Sequence, residues 1–123
     1  MSVNLKEKVL GAFYGAAIGD AMGAATETLS RRRIEEVYGG RVTAFRNPAP
    51  ETPASGREAG QITDAFGIPW ALVQQIVRRG KVDARAGVDA LLEWSSDADV
   101  FERFAGMTTK KVIRQLNEAA GRG

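Results

Sequence analysis

Side chains that could do chemistry in this 123-residue chain are of few types, because the sequence contains neither histidine nor cysteine. Serine–histidine triads, thiolate nucleophiles and histidine-rich zinc sites are therefore excluded. Acid–base or metal chemistry must be carried out by carboxylates, hydroxyls, lysines or backbone groups. Two places bring such groups together: a glycine-rich stretch that ends at Glu27, and a Thr-Asp pair at Thr63 and Asp64.

The glycine-rich stretch from Gly11 to Glu27, GAFYGAAIGDAMGAATE, has a glycine at every fourth residue up to Gly23. A spacing of four aligns these glycines on one face of a helix. Each glycine costs a helix about 0.5–1 kcal/mol relative to alanine, so we expect another backbone to pack closely on this face. A tightly packed core helix explains the glycines but not Asp20 and Glu27, which lie two turns apart and share one side if the helix extends that far.

The second place is Gln61-Ile62-Thr63-Asp64, where a hydroxyl precedes a carboxylate at the predicted start of a helix. Oxygen ligands of this type suit hard cations such as Mg²⁺. The same pair is also typical of a helix N-cap that binds no ligand. From the residues alone, both interpretations stay open.

The elements that position these groups are predicted to be helices. Apolar residues after Asn4 recur at a spacing of three to four, which predicts an amphipathic core helix. A cap at Thr28 or Ser30 starts a second helix that ends at Gly39-Gly40. The predicted caps of the later helices are Thr63 or Asp64, Asp83, Asp97 or Asp99, and Thr108 or Thr109. Since only RVTAF shows weak strand-like alternation, the chain is predicted to be all-α, a compact bundle of about five helices.

The buried faces of two helices are predicted from the same periodicity. In the first helix, the residues expected to face the core are Leu5, Val9, Leu10, Phe13, Tyr14, Ala17 and Ile18. In the third helix, the residues expected to face inward are Trp70, Leu72, Val73, Ile76 and Val77.

A long loop separates the second and third helices. Residues 41–60 contain three prolines among small and polar residues, which predicts little regular structure. A functional lid and a disordered segment are both consistent with a loop of this length. Because 123 residues suit one domain with a core of its own, we predict a single all-α domain over residues 1–123 with a flexible loop at about 41–60.

Composition excludes further function classes. The net charge is only +2 and aromatic residues make up 7% of the chain, so we expect no nucleic-acid partner. No apolar run is long enough to cross a bilayer, and the N-terminus lacks the apolar core of a signal peptide, so we expect no membrane association. The absence of cysteine is consistent with a cytoplasmic protein, which is the location we expect.

Three segments in this order resemble those of a known family: GAAIGDAMGAATE, then AGQITDAFGIPWALVQQIVRRGKVDARAGVDALLEW after the loop, then FAGMTTKKVIRQL. The chain resembles the ADP-ribosylglycohydrolase family from about Leu10 to Leu116. The resemblance implies an all-α fold with a dinuclear Mg²⁺ site. It also implies hydrolysis of the glycosidic bond in ADP-ribosylated substrates, and hence an ADP-ribose-type ligand.

The resemblance also implies roles for individual residues. Glu27 matches the family's catalytic acidic residue near the metals and the scissile bond. Thr63 and Asp64 match the first two ligands of a Thr-Asp-Asp metal motif. The residues that match the glycine–aspartate step, which we interpret as structural near the site, are Gly19, Asp20 and Gly23. The implied mechanism has metal-held ribose and an activated water, with a carboxylate that handles protons at the anomeric carbon.

Two departures from the family pattern bear on activity. The third position of the metal motif is Ala65, which removes a charge and one or two oxygen ligands. Family members are well over twice as long, and their late Asp-x-Asp-Thr motif has no counterpart here. We therefore expect the N-terminal part of the fold, with a degenerate, incomplete site, doubtful Mg²⁺ binding and no activity by this chain alone.

Three hypotheses stay open from the sequence. The chain is a truncated or split hydrolase that needs a complementing chain, a non-catalytic self-associating helical binding or structural module, or an unrelated helical protein. The expected partner is a second copy or a complementing chain, because the glycine face needs to be covered and most soluble homo-oligomers are symmetric.

Overall fold

The computed structural model describes residues 4–121, which contain six α-helices and no β-strand. The helices are α1 (Leu5–Gly23), α2 (Arg31–Tyr38), α3 (Asp64–Arg79), α4 (Ala84–Trp94), α5 (Ala98–Phe104) and α6 (Met107–Ala119). The chain divides into two compact units, Met1–Thr63 and Asp64–Gly123, so that α1 and α2 belong to the first unit and α3 to α6 to the second. The all-α prediction is confirmed, with six helices instead of about five. That one domain spans residues 1–123 stays a prediction.

Most helices begin at a side-chain cap, and the caps at Ser30, Asp83 and Asp97 are among those predicted from the sequence. The side chains that accept a hydrogen bond from a backbone amide two or three residues ahead are those of Asn4, Ser30, Asp83 and Asp97. Gly39 and Gly80 end α2 and α3 with positive φ angles of 75° and 69°. Helix α6 differs, because Gly106 precedes it without a side chain to cap it, and Thr108 and Thr109 lie inside its first turn.

Helix α1 is not a core helix within this chain. Of its residues only Ala21 is buried. The large apolar residues that were expected to face a core but are exposed are Leu5, Val9, Leu10, Tyr14 and Ile18. A Cβ atom built at any of the four glycines of α1 meets nothing within 4 Å beyond the helix's own backbone and the adjoining residues. Within residues 4–121 no other backbone packs on the glycine face, and its covering by a second copy or a complementing chain stays a prediction.

The core of the first unit consists of small residues after α1 and in the loop. The residues buried there are Ala24, Ala25, Ala49, Thr52, Ala54 and Thr63. Residues 41–60 contain turns but no helix or strand, in agreement with the sequence, while their flexibility stays a prediction. The loop is held by side chains, since the amide oxygen of Asn47 accepts a hydrogen bond from the backbone of Ala59 at 3.0 Å.

The second unit has a larger apolar core. Its buried large residues are Trp94, Phe104 and Ile113. Helix α3 packs against α4 where Gly67 faces the Trp94 indole, and a Cβ built at Gly67 would lie 2.9 Å from the indole nitrogen. Two residues of α3 expected to face inward, Trp70 and Val77, are instead 44% and 76% exposed. The apolar residues of α3 therefore cover a wider arc of the helix than the side that is buried in this unit.

Charged side chains of the second unit pair around the start of α4. Asp83 accepts a hydrogen bond from the Ala86 amide at 2.8 Å and lies 3.0 Å from the Lys81 ammonium. These contacts, together with the Arg79 guanidinium, lower the pKa of Asp83 from its usual 3.8 to about 2, the Ala86 amide having the largest effect.

Candidate functional site

Two predicted site residues, Asp20 and Thr63, are joined directly. The Thr63 backbone N–H donates to Oδ2 of Asp20 at 2.8 Å, and the Thr63 hydroxyl donates to Oδ1 at 2.5 Å. Thr63 is buried, with 5% of its surface exposed, and Asp20 is half-buried in the last turns of α1. The carboxylate therefore ties α1 to the end of the loop that leads into the Thr-Asp pair.

The hydrogen bond to Asp20 determines which further groups the Thr63 hydroxyl oxygen can bind. A hydroxyl has one proton to donate and two lone pairs that accept. Because the proton of Thr63 is directed to Asp20, any further group at Oγ1 must donate a hydrogen bond or be a cation. Asp20, interpreted from the sequence as structural, is therefore the residue that orients the first oxygen of the predicted metal motif.

Glu27, the predicted catalytic carboxylate, lies in a turn after α1. The helix ends at Gly23 and residues 24–28 form turns, so Asp20 and Glu27 do not share one side of a continuous helix. Glu27 is exposed to solvent. The next residue, Thr28, has φ 68°, a left-handed conformation that β-branched residues rarely adopt. Such strain persists where surrounding contacts hold the backbone in place.

A tyrosine that the sequence analysis missed supplies one of these contacts. The Tyr38 hydroxyl, at the end of α2, lies 2.7 Å from the carbonyl oxygen of Ala25 and 2.9 Å from that of Asn47. Ala25 is fully buried, and its carbonyl also accepts from the Ala49 amide at 3.5 Å. The backbone two residues before Glu27 is therefore held by both α2 and the loop. No local sequence signal marks Tyr38 for this role.

A cavity of about 490 Å³ lies beside the Glu27 turn within the first unit. Its lining residues include Thr26, Arg31, Glu35 and Arg41. Arg31 pairs with Glu35 at 3.3 Å, so the Arg41 guanidinium leaves the lining with a net positive charge. The lining is otherwise uncharged and mostly apolar.

The other predicted metal ligand, Asp64, is the first residue of α3 and belongs to the second unit. Ala65 follows it where the resemblance places another aspartate, and contributes no side-chain oxygen. The two members of the Thr-Asp pair are thus consecutive in sequence but belong to different compact units.

The residues present do not fit a self-contained Mg²⁺ site. Mg²⁺ requires near-octahedral oxygen coordination at about 2.0–2.1 Å, with at least one carboxylate as a rule. Between residues 4 and 121, no three acidic side chains come together in a group that could hold a metal ion. In the first unit, the Thr63 hydroxyl and the Asp20 carboxylate are bound to each other. We therefore derive no step of the reaction through a metal ion.

Comparison with known proteins decides the family. A family model described as ADP-ribosylglycohydrolase matches residues 1–123, the whole chain. The chain belongs to the ADP-ribosylglycohydrolase family. This confirms the resemblance drawn from the three sequence segments.

Two relatives show how much of an ADP-ribosylglycohydrolase this chain represents. It is 28% identical over 114 residues to the uncharacterized protein YegU of Escherichia coli (strain K12), a match that covers 91% of this chain and 34% of YegU. It is also 28% identical over 114 residues to the ADP-ribosyl-[dinitrogen reductase] glycohydrolase of Rhodospirillum rubrum, covering 91% of this chain and 35% of that protein. The chain thus spans about a third of the length of these relatives.

Proposed function

We propose that this chain forms one part of an ADP-ribosylglycohydrolase site, which hydrolyses the glycosidic bond of an ADP-ribosylated substrate once further ligands are supplied. The observation that supports this most is the pairing of Asp20 with Thr63. It links the glycine–aspartate segment to the Thr-Asp segment, the two sequence features from which the family was first inferred. By accepting both hydrogen bonds, the Asp20 carboxylate fixes the orientation of the buried Thr63 hydroxyl.

Each residue of this partial site has a proposed task. Glu27 handles a proton at the anomeric carbon or its leaving group, since its exposed carboxylate can be reached by a substrate. Thr63 offers an acceptor oxygen, and Asp20 keeps it oriented. Asp64 supplies a carboxylate at the positive end of the α3 dipole. The cavity beside Glu27 receives an anionic part of an ADP-ribose-type ligand, which Arg41 attracts.

The missing ligands define the proposed partner. With Ala65 in the metal motif, we propose that the isolated chain binds Mg²⁺ weakly or not at all and is inactive alone. A complementing polypeptide would supply the carboxylates that complete the site.

The proposed location of the chain is the cytoplasm, based on the absence of cysteine. None of the helices between residues 4 and 121 could span a lipid bilayer.

The proposal is tested by titrating the purified chain with ADP-ribose by calorimetry, with and without Mg²⁺. We expect measurable ADP-ribose binding that is weakened several-fold by Arg41→Ala, with little dependence on Mg²⁺. Arg32→Ala is the matched control, since Arg32 is an exposed arginine of α2 that pairs with Glu36 at 2.8 Å and does not line the cavity. No binding by the well-folded chain, or equal effects of the two substitutions, would count against the partial site.

A non-catalytic, self-associating module is the second candidate function. It is favoured by the exposed apolar residues of α1, which a symmetric contact between two copies would cover. A stable dimer that binds no ADP-ribose would support this alternative over the hydrolase proposal. The mass of the chain is therefore measured in the same buffer as the titration.

A further inference from the structure

The Glu27 carboxylate is carried by its backbone alone between residues 4 and 121. In that range no hydrogen bond or ion pair joins its side chain to another residue, and the side chain is exposed to solvent. The direction of the carboxylate therefore depends on the conformation of the turn that carries it. Residues that fix this turn position Glu27 for the proton transfer proposed above.

The turn that carries Glu27 is locally unfavourable. Its backbone closes where the Leu29 amide donates a hydrogen bond to the Thr26 carbonyl at 3.0 Å. Thr28 is the third of the four residues in this turn and has φ 68°. A positive φ at the third position favours glycine or asparagine, whereas Thr28 is β-branched. A turn of this kind persists where contacts from outside it hold the backbone in place.

The Tyr38 hydroxyl provides a contact from outside the turn. It lies 2.7 Å from the carbonyl oxygen of Ala25 and 2.9 Å from that of Asn47. Carbonyl oxygens only accept hydrogen bonds and the phenol has one proton, so the two carbonyls share one donor. Ala25 is fully buried, and the Ala49 amide, which also donates to its carbonyl, is farther away at 3.5 Å. The Tyr38 hydroxyl is therefore the closer donor to a buried carbonyl two residues before Glu27.

We propose that Tyr38 is the positioning residue of Glu27. Its hydroxyl holds the turn after α1 against the loop, and this keeps the Glu27 carboxylate in one direction. A carboxylate that transfers a proton needs a heavy-atom distance of about 2.6–3.2 Å to its target, so its direction matters for catalysis. The inference deepens the proposed function and rests on it for the role of Glu27. The order of the turn is measured without a ligand, so the two claims fail separately.

The experiment compares the full chain with Tyr38→Phe, which removes the hydroxyl and keeps the ring. Nuclear magnetic resonance relaxation gives the order parameters of the backbone amides at Glu27 and Thr28. We expect values near 0.85 in the wild-type chain and below about 0.6 in Tyr38→Phe. Tyr14→Phe is the matched control, since Tyr14 is the other of the two tyrosines and is 66% exposed on α1. We expect it to leave both amides unchanged.

A second variant, Thr28→Gly, separates the Tyr38 hydrogen bond from the stiffness of Thr28 itself. Glycine adopts a positive φ without strain, so we expect this variant to fold. Because Tyr38 is still in place, we expect the order parameter of the Glu27 amide to stay near 0.85. A fall below about 0.6 would show that Thr28 and not Tyr38 fixes the turn, and would overturn the proposal.

Titration with ADP-ribose relates the order of the turn to the site. Thr26 lines the cavity beside the turn, and a ligand that has to order the wall of its cavity binds more weakly. We expect Tyr38→Phe to weaken ADP-ribose binding by about threefold or more, and Tyr14→Phe to leave it unchanged. If the wild-type chain binds no ADP-ribose, the proposed function fails and the order parameters still decide the role of Tyr38.

Four results would overturn the positioning role. They are a disordered turn in the wild-type chain, unchanged order in Tyr38→Phe, a loss of order spread over the whole first unit, and equal binding of ADP-ribose by the wild-type chain and Tyr38→Phe. Circular dichroism shows whether each variant has folded. If Tyr38→Phe is unfolded, the order parameters of the wild-type chain and of Thr28→Gly decide.

Discussion

Replacement of Asp20 by asparagine tests the central contact of the candidate site. The Asp20 carboxylate accepts two hydrogen bonds from Thr63, one from the backbone N–H at 2.8 Å and one from the hydroxyl at 2.5 Å. An asparagine has one acceptor oxygen and turns its NH₂ group toward the other donor. The Thr63 hydroxyl can keep a hydrogen bond to this residue only by accepting from the NH₂ group, and its own proton then loses the Asp20 acceptor.

The size of the effect follows from the burial of the pair. A hydrogen bond to a charged acceptor contributes about 1.5–3 kcal/mol, and a buried donor without an acceptor costs about 1–3 kcal/mol. Because Asp20 is only half-buried and water can reach part of it, we expect Asp20→Asn to lower the free energy of unfolding by about 1–2 kcal/mol. With a urea m-value of about 2 kcal/mol/M, in the middle of the usual range, the midpoint falls by roughly 0.5–1 M.

Urea unfolding followed by circular dichroism provides the assay, with two further variants. Thr63→Val removes the hydroxyl but keeps the backbone N–H, so we expect a smaller loss of about 0.5–1.5 kcal/mol. The double mutant should lose less than the sum of the two single losses, because the variants share one contact. Glu27→Gln, at an exposed carboxylate, should change stability by less than about 0.5 kcal/mol. A loss below about 0.5 kcal/mol for Asp20→Asn, or full additivity, would refute the reasoning.

Further predictions concern helix glycines, pH and metal. Gly15→Ala should stabilise the chain by about 0.5–1 kcal/mol, because the added Cβ enters open space. Gly67→Ala should destabilise the chain, because the added Cβ would lie 2.9 Å from the Trp94 indole nitrogen. Thermal unfolding of both variants tests whether the two changes in stability have opposite signs. The pKa of Asp83 is lowered from 3.8 to about 2 in the folded chain. The ionised carboxylate therefore stabilises the fold fully above about pH 4, and this stabilisation is lost as the pH falls toward 2. In unfolding measured against pH, Asp83→Asn should remove the loss of stability that the wild-type chain shows between these pH values. Millimolar Mg²⁺ should not raise the melting temperature of the isolated chain, and Ala65→Asp should not by itself produce hydrolysis in an ADP-ribose release assay, because further ligands are missing.

The helices were predictable because their signals are local. Capping joins a side chain to a backbone amide two or three residues away, so the caps Ser30, Asp83 and Asp97 could be identified from the residues that adjoin them in sequence. The end of α2 at Gly39 was predictable for the same reason. Helix α6 shows the limit of the method, since a threonine near a helix start is a possible cap whether or not the helix begins one turn earlier.

The contacts of the candidate site were not predictable, because they are distant in sequence. Asp20 and Thr63 were each singled out, but nothing in their spacing indicates a hydrogen bond across 43 positions. The hydrogen bond from the Tyr38 hydroxyl to the Ala25 carbonyl oxygen and the left-handed backbone of Thr28 likewise depend on how α2 and the loop pack against the turn after α1. Apolar periodicity predicted that α1 would be covered, yet periodicity alone does not say whether the covering residues belong to the same chain.

Hydrolysis by the recombined polypeptides tests the account most directly. The chain is mixed with the Rhodospirillum rubrum relative that lacks the matched segment, and release of ADP-ribose from an ADP-ribosylated protein is measured in the presence of Mg²⁺. We predict that the mixture releases ADP-ribose, that neither polypeptide does so alone, and that Glu27→Gln in this chain abolishes the activity of the mixture. Turnover by this chain alone, an inactive complex, or full activity with Glu27→Gln would contradict the account.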